Sequence, residues 1–166
     1  FGKKGSQHYE IVRPGFKYNM MDMQAALGIH QLKALDGFIA RRTELARRYQ
    51  ARLAGRPELT LPQAPAFDHR HAWHLFTVLI NPETAGFDRD AFMAKMKQRN
   101  IGTGLHYRAV HLYPYYRDHF GFKPGDFPHA EKIGERIVSL PLFPDMTDAD
   151  QERVLAAMAD IFGSQA

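Results

Sequence analysis

The apolar positions of this chain change period several times. From Met23 through Leu27, Leu35, Leu45 and Tyr49 to Leu53 they recur at three-to-four-residue steps, with breaks near Gly28 and Gly37. That is the spacing of one helix face. Asn19 is a residue type that caps helices and Asp22 suits the positive end of the dipole, so the pattern predicts about 30 residues of helix after Asn19, kinked at Gly37. Gly55-Arg56-Pro57 ends it, and the proline-spaced residues 61–65 read as a linker.

The period then shortens. "WHLFTVLI" (73–80) is aromatic and β-branched and is closed by Asn81-Pro82, which predicts a strand. Asp88 caps a helix to about Gln98 with Phe92 and Met96 inward, and Ile101–Tyr107 reads as a second strand. Residues 112–123 read as a loop or short helical turns, Pro128–Glu135 as a helix, and Ile137–Leu140 as a third strand closed by Pro141. Thr147 caps a last amphipathic helix to about Phe162, with Asp148 and Asp150 in its first turn. The order β-α-β-α-β-α after the long helix predicts an α/β (α+β) domain, a small sheet with helices on one face.

Composition narrows the class. With 166 residues, 45% hydrophobic and 24% charged, the chain suits one domain plus an appended element. It holds no cysteine, which excludes a disulfide scaffold, a thiolate metal site and a cysteine nucleophile. No apolar run approaches the roughly 18 residues that span a bilayer, so the expectation is a cytoplasmic protein without a membrane partner. A net charge of +4 favours anionic ligands. Residues 1–18 are rich in Gly, Lys and aromatic residues, with a turn signal at Arg13-Pro14-Gly15. The chain opens Phe1-Gly2-Lys3 without an initiator methionine, and the expectation is the back part of a longer protein.

Four groups of residues carry candidate chemistry. His69, His71 and His74 invite a zinc reading, but on a strand 69 and 71 share a face that 74 does not, so no metal is expected and His74 is the one placed to enter a pocket. Arg41, Arg48 and Arg52 align on one helix side, yet Glu44 interrupts the basic run and no aromatic platform accompanies it, which favours a solvated face over nucleic-acid binding. In "RPGFKYNMMD" (13–22) a turn brings Lys17, Tyr18 and Asn19 to a helix N-terminus, where lysine and backbone N–H groups form a phosphate site. A capped helix with a surface lysine accounts for the same residues equally well. "IGTGLHYRAVHLYPYYR" (101–117) offers Arg108 as a fork for phosphate or carboxylate, with His106 on the same strand face and Tyr107 on the other. Tyrosines packed by their rings with wet hydroxyls are the alternative. The acidic residues Asp88, Asp90, Asp145, Asp148 and Asp150 stand at helix starts and need no catalytic role.

Taken together, "PGFKYNMMDMQAALGIHQLKAL", "HAWHLF", "IGTGLHYRAVHLYPYYR" and "FPHAEKIGERIVSLPLFPDMTDAD" resemble, in order, the C-terminal part of the DegT/DnrJ/EryC1/StrS sugar aminotransferases. Lys17 and Asn19 stand as in the branch of 4-amino-arabinose aminotransferases. The resemblance implies the small C-terminal domain of a fold type I transferase using pyridoxal 5'-phosphate, with a Schiff-base lysine, glutamate as amino donor and a 4-keto nucleotide sugar as acceptor. It implies a division into 1–18 as the tail of the large cofactor domain, 19–54 as a long interdomain helix and 55–166 as the small domain. It also implies a homodimer in which Lys17, Tyr18 and Asn19 reach the neighbour's cofactor phosphate, with His74, His106, Tyr107 and Arg108 on the sugar-nucleotide side. None of the lysines here matches the Ser- and Gly-rich context of the family's Schiff-base lysine, so this chain alone is expected to be inactive and to depend on an upstream large domain. A stand-alone binding module with the same small-domain fold is the other reading.

Overall fold

Phe76, Val78 and Ile80 are buried while Thr77 and Leu79 between them are half-buried, and this alternation marks the strand on which the core is built. The structure, a computed structural model, describes residues 15–163, so Arg13-Pro14 and the rest of residues 1–14 lie outside the described residues. The chain divides into two compact units, one ending at Leu35 and one beginning at Asp36.

The long helix α1 (Asp22–Leu53) is continuous, with no break at Gly28 or Gly37. A single glycine costs a helix about 1 kcal/mol relative to alanine but leaves every backbone hydrogen bond in place. Asn19 is not its cap. The helix starts at Asp22, and the Met21 N–H donates instead to Gln24 Oε1 at 3.0 Å, half of a capping box. The end is as expected, with Gly55 at φ 77° just beyond Leu53.

In the second unit the sheet is antiparallel throughout. β1 (Leu59–Thr60) pairs with β2 (Phe76–Ile80), and β2 pairs with β3 (Ile137–Leu140), with Phe76 opposite Leu140 and Val78 opposite Val138. β1 lies in a stretch too short to show a period. β2 is shorter than the predicted 73–80 because Trp73 takes a positive φ of 46° and the chain bends before it straightens. Leu45, Tyr49 and Leu53 of α1, Phe92 and Met96 of α3 (Arg89–Gln98), and Val154, Leu155 and Met158 of α6 (Asp148–Phe162) join the inward residues of β2 and β3 in one cluster. Tyr49 packs its ring 5.0 Å from that of Phe76 and donates its hydroxyl to the Pro141 carbonyl at 3.0 Å, and burial pushes its phenol pKa up.

Residues 101–107 are not the second strand. They contribute one bridge, Gly104 with Ser139, on the free edge of β3. The His106 ring lies over Gly104, where an ideal Cβ would stand only 2.7 Å from His106 Cε1. The chain then runs through a 3-10 turn (Val110–Leu112) and α4 (Pro114–Phe120), the helical turns expected over 112–123, to α5 (Pro128–Arg136), which feeds directly into β3. A short helix α2 (Pro82–Ala85), not foreseen, follows β2.

The caps of α3 and α6 are those expected. Asp88 accepts from the Ala91 N–H at 2.8 Å, and Thr147 and Asp150 form a complete capping box. The aligned arginines are tied by ion pairs: Arg41 binds Glu44, Asp148 and the Met146 carbonyl, and Arg48 and the exposed Arg52 bind Glu152. The Arg41 guanidinium holds the Asp148 carboxyl below the usual carboxylate range, and Asp148 and Glu44 raise Arg41 in turn.

Candidate functional site

The residues that the sequence singled out lie at 17–19 in the first unit, and at 106–108 and, separately, His74 in the second. In the first unit, residues 15–21 belong to no helix or strand and are exposed, and Lys17, Tyr18 and Asn19 follow one another along this segment. Phe16 and Tyr18, 87% and 86% exposed, place their rings 6.0 Å apart. The positive end of α1 begins two residues after Met20, so these three side chains precede the helix rather than crown it.

In the second unit, the segment 104–109 is fixed from both sides. Its Gly104 is bonded to Ser139 in both directions, at 3.0 and 2.8 Å, and Ser139 Oγ lies 2.7 Å from His106 Nδ1. Its far end rests on α5. A Cβ at Gly134 would meet Ala109 N at 2.8 Å and Tyr107 O at 3.0 Å, so only glycine lets the two backbones touch. Arg89, whose side chain is 11% exposed, donates to the Gly134 and Ile137 carbonyls at 3.0 and 3.3 Å and secures the carbonyls at the end of α5. His106 is half-buried with its ring 5.0 Å from that of Tyr107, while Tyr107 and Arg108 are exposed. The side chains of 107 and 108 therefore project from a backbone that is itself well anchored.

Just beyond, His111 is buried and its Nε2 lies 2.8 Å from Glu131 Oε1. Glu131 also accepts from the Gly125 and Phe127 N–H groups at 2.8 and 3.3 Å, and the His111 ring meets that of Phe127 edge-on at 4.8 Å. These bonds, the one from His111 foremost, lower the Glu131 pKa. His111 is thus a packing residue, and the stretch divides: Tyr107 and Arg108 are exposed, while Ala109, His111 and Leu112 are buried.

His74 is exposed. The groove of about 710 Å³ near it in sequence is lined instead by His69, Arg70, His71 and Trp73 against α1 residues from Asp36 to Gln50. Residues 69 and 71 are not on a strand, and His71 Nδ1 accepts from the Trp73 N–H at 2.8 Å with the two rings 4.2 Å apart. Among the described residues no group of three His, Cys, Asp or Glu is placed to hold a metal ion, and no helix is long and apolar enough to cross a membrane.

Sequence reasoning missed Ser139, Gly134 and Glu131. Each acts on a residue far away in the chain, and only Gly134, a glycine inside a helical pattern, left a mark that could be noticed.

The second unit is thus a three-stranded antiparallel sheet with helices packed against it and a polar loop anchored on its edge strand. The chain belongs to the DegT/DnrJ/EryC1/StrS aminotransferase family, whose profile matches residues 1–159. It is 44% identical over 162 residues to the spore coat polysaccharide biosynthesis protein SpsC of Bacillus subtilis (strain 168), covering 97% of this chain and 41% of that protein. DesV of S. venezuelae, solved in complex with a ketimine intermediate, is 32% identical with a TM-score of 0.82, over 99% of this chain and 43% of its own. The sugar aminotransferase Spr1654 of Streptococcus pneumoniae, solved in a PLP form, is 24% identical with a TM-score of 0.83 over 95% of this chain and 40% of its own, a likeness of fold. The chain therefore spans about two fifths of the length of these proteins.

Proposed function

We propose that this chain is the C-terminal portion of a pyridoxal-phosphate-dependent aminotransferase that moves an amino group from glutamate to a 4-keto nucleotide sugar, within a cytoplasmic homodimer. On this reading residues 1–18 end the large cofactor domain, 19–54 link the domains and 55–166 form the small domain. The observation that carries the reading is the segment 106–108 in a chain of this family: its backbone is pinned to Ser139 and Gly134 while Tyr107 and Arg108 project outward. Arg108 supplies paired N–H donors for a phosphate, Tyr107 and His106 supply donors and ring surface for the sugar nucleotide, and His74 adds a further contact. The presence of Lys17 and Asn19 favours the branch similar to UDP-4-amino-4-deoxy-L-arabinose aminotransferases.

The first unit offers a donor set that fits a phosphate, with an ammonium, a phenol and an amide on three consecutive exposed residues, Lys17, Tyr18 and Asn19. These would hold the phosphate end of the neighbouring subunit's pyridoxal phosphate. When bound, that group supplies the carrier for the amino group and an electron sink for the carbon that gains or loses it. No described lysine is enclosed as its covalent anchor: Lys95 lies 5.2 Å over the Phe87 ring, and Lys17, Lys33, Lys97, Lys123 and Lys132 are exposed. On this reading the anchoring lysine is supplied by the large domain, and this chain alone would be inactive.

The test is borohydride reduction of the full-length protein with pyridoxal phosphate present, followed by peptide mass mapping. One reduced pyridoxal group on a lysine outside this chain is the expected result, and a group on any lysine of this chain overturns it. Lys17→Ala is then expected to lower cofactor retention without changing the mapped lysine.

A further inference from the structure

The face of β3 turned away from the core carries a polar pair with a further role. Ser139 is 4% exposed, and both its backbone groups are taken by Gly104. Its hydroxyl has one hydrogen to donate, and a buried hydroxyl left without an acceptor is disfavoured. Among the described residues, the acceptor within reach is His106 Nδ1 at 2.7 Å. Gly104 gives the ring room to reach it, since any side chain at 104 would occupy the space of His106 Cε1.

The direction of this bond decides what His106 can do. If Nδ1 carried the proton and donated to Ser139, the serine hydrogen would need a second acceptor and Nε2 would present a lone pair. If Ser139 donates, Nδ1 is bare and a neutral ring carries its proton on Nε2. We propose that Ser139 donates to His106 Nδ1 and thereby fixes the Nε2–H tautomer, which makes His106 a hydrogen-bond donor to an oxygen of the bound nucleotide sugar. Ser139 is a positioning residue, acting through the imidazole. The ligand half of this inference rests on the placement of His106 beside the nucleotide sugar proposed above. The tautomer half rests on the β3 geometry alone. The oxygen is a sugar hydroxyl or a phosphate oxygen, both of which accept from N–H.

The experiment is long-range proton–nitrogen correlation spectroscopy on the full-length holoenzyme labelled with nitrogen-15 histidine, at a pH above the imidazole titration. The His106 signal is assigned by its loss in His106→Gln. The expected spectrum shows Nε2 protonated and Nδ1 bare in the native enzyme. In Ser139→Ala the His106 signal alone moves to a mixture of tautomers, and KM for a UDP-linked 4-keto sugar rises about fivefold to tenfold with kcat little changed, the loss of one ordinary hydrogen bond. Ser139→Thr keeps the hydroxyl and restores both readouts. A native His106 protonated on Nδ1 overturns the proposal without any variant having to fold, and so does a tautomer unmoved by Ser139→Ala. A tautomer that shifts while KM for the UDP-linked sugar and that for UDP-glucose as a competing ligand stay constant overturns the ligand half and, with it, the placement of His106 at the sugar.

Discussion

The two faces of the sheet are held by different physics. On the inner face Phe76, Val78, Ile80, Val138 and Leu140 meet α1, α3 and α6 chiefly through apolar contact. On the outer side and the free edge of β3, Ser139 holds Gly104 and His106 by hydrogen bonds, Gly134 meets the 107–109 backbone in one close approach, and Glu131 holds His111, Gly125 and Phe127. The inner face spreads its stabilisation over many contacts, each replaceable in part. The outer side depends on single atoms, and it is there that the exposed polar residues of the candidate site, Tyr107 and Arg108, are carried.

Breaking the inner face should have the largest effect. Phe76→Ala removes a fully buried ring that packs on Tyr49 and Trp73, and it should lower unfolding stability by about 3–5 kcal/mol in denaturant titration. On the outer side, Gly134→Ala drives a Cβ into the 107–109 backbone and should cost about 1–3 kcal/mol, with a higher KM for the nucleotide sugar. A variant that is destabilised with KM unchanged would separate the anchoring of this loop from ligand binding. The smallest effect is a pH dependence. The Glu131 pKa is lowered in the folded state, so its contribution is complete above the unfolded carboxyl value and is lost as pH falls through the lower folded value. In melting curves from neutral to acid pH, Glu131→Gln should flatten the acid limb relative to the native protein, and an unchanged limb would place the acid sensitivity elsewhere.

The same contrast explains how much the sequence disclosed. The inner face repeats with a period, so α3, β3 and α6 were legible to within a residue, and the caps at Asp88 and Thr147 with them. β1 is two residues long and carries no period, and it went unseen. Residues 101–107 have strand composition, but they pair with the sheet only at the Gly104–Ser139 bridge, and pairing with a strand so far along the chain is not encoded in a local pattern. The site residues were visible as types, and the family resemblance grouped them. Their supports were not visible, because Ser139 lies 33 positions from His106 and a serine in "VSLPLF" is ordinary strand chemistry.

The ties between Arg41, Arg48 and Arg52 on one side and Asp148 and Glu152 on the other bear on how the protein is made. Arg48 and Glu152 are separated by 104 positions, and Gln151, beside Glu152, donates to the Leu45 carbonyl across 106. The second unit is closed by its own last helix. A nascent chain still lacking α6 leaves Leu45, Tyr49 and Phe92 without one wall of their core. This unit therefore completes only after nearly all of it has left the ribosome, with its earlier helices exposed to chaperones until then.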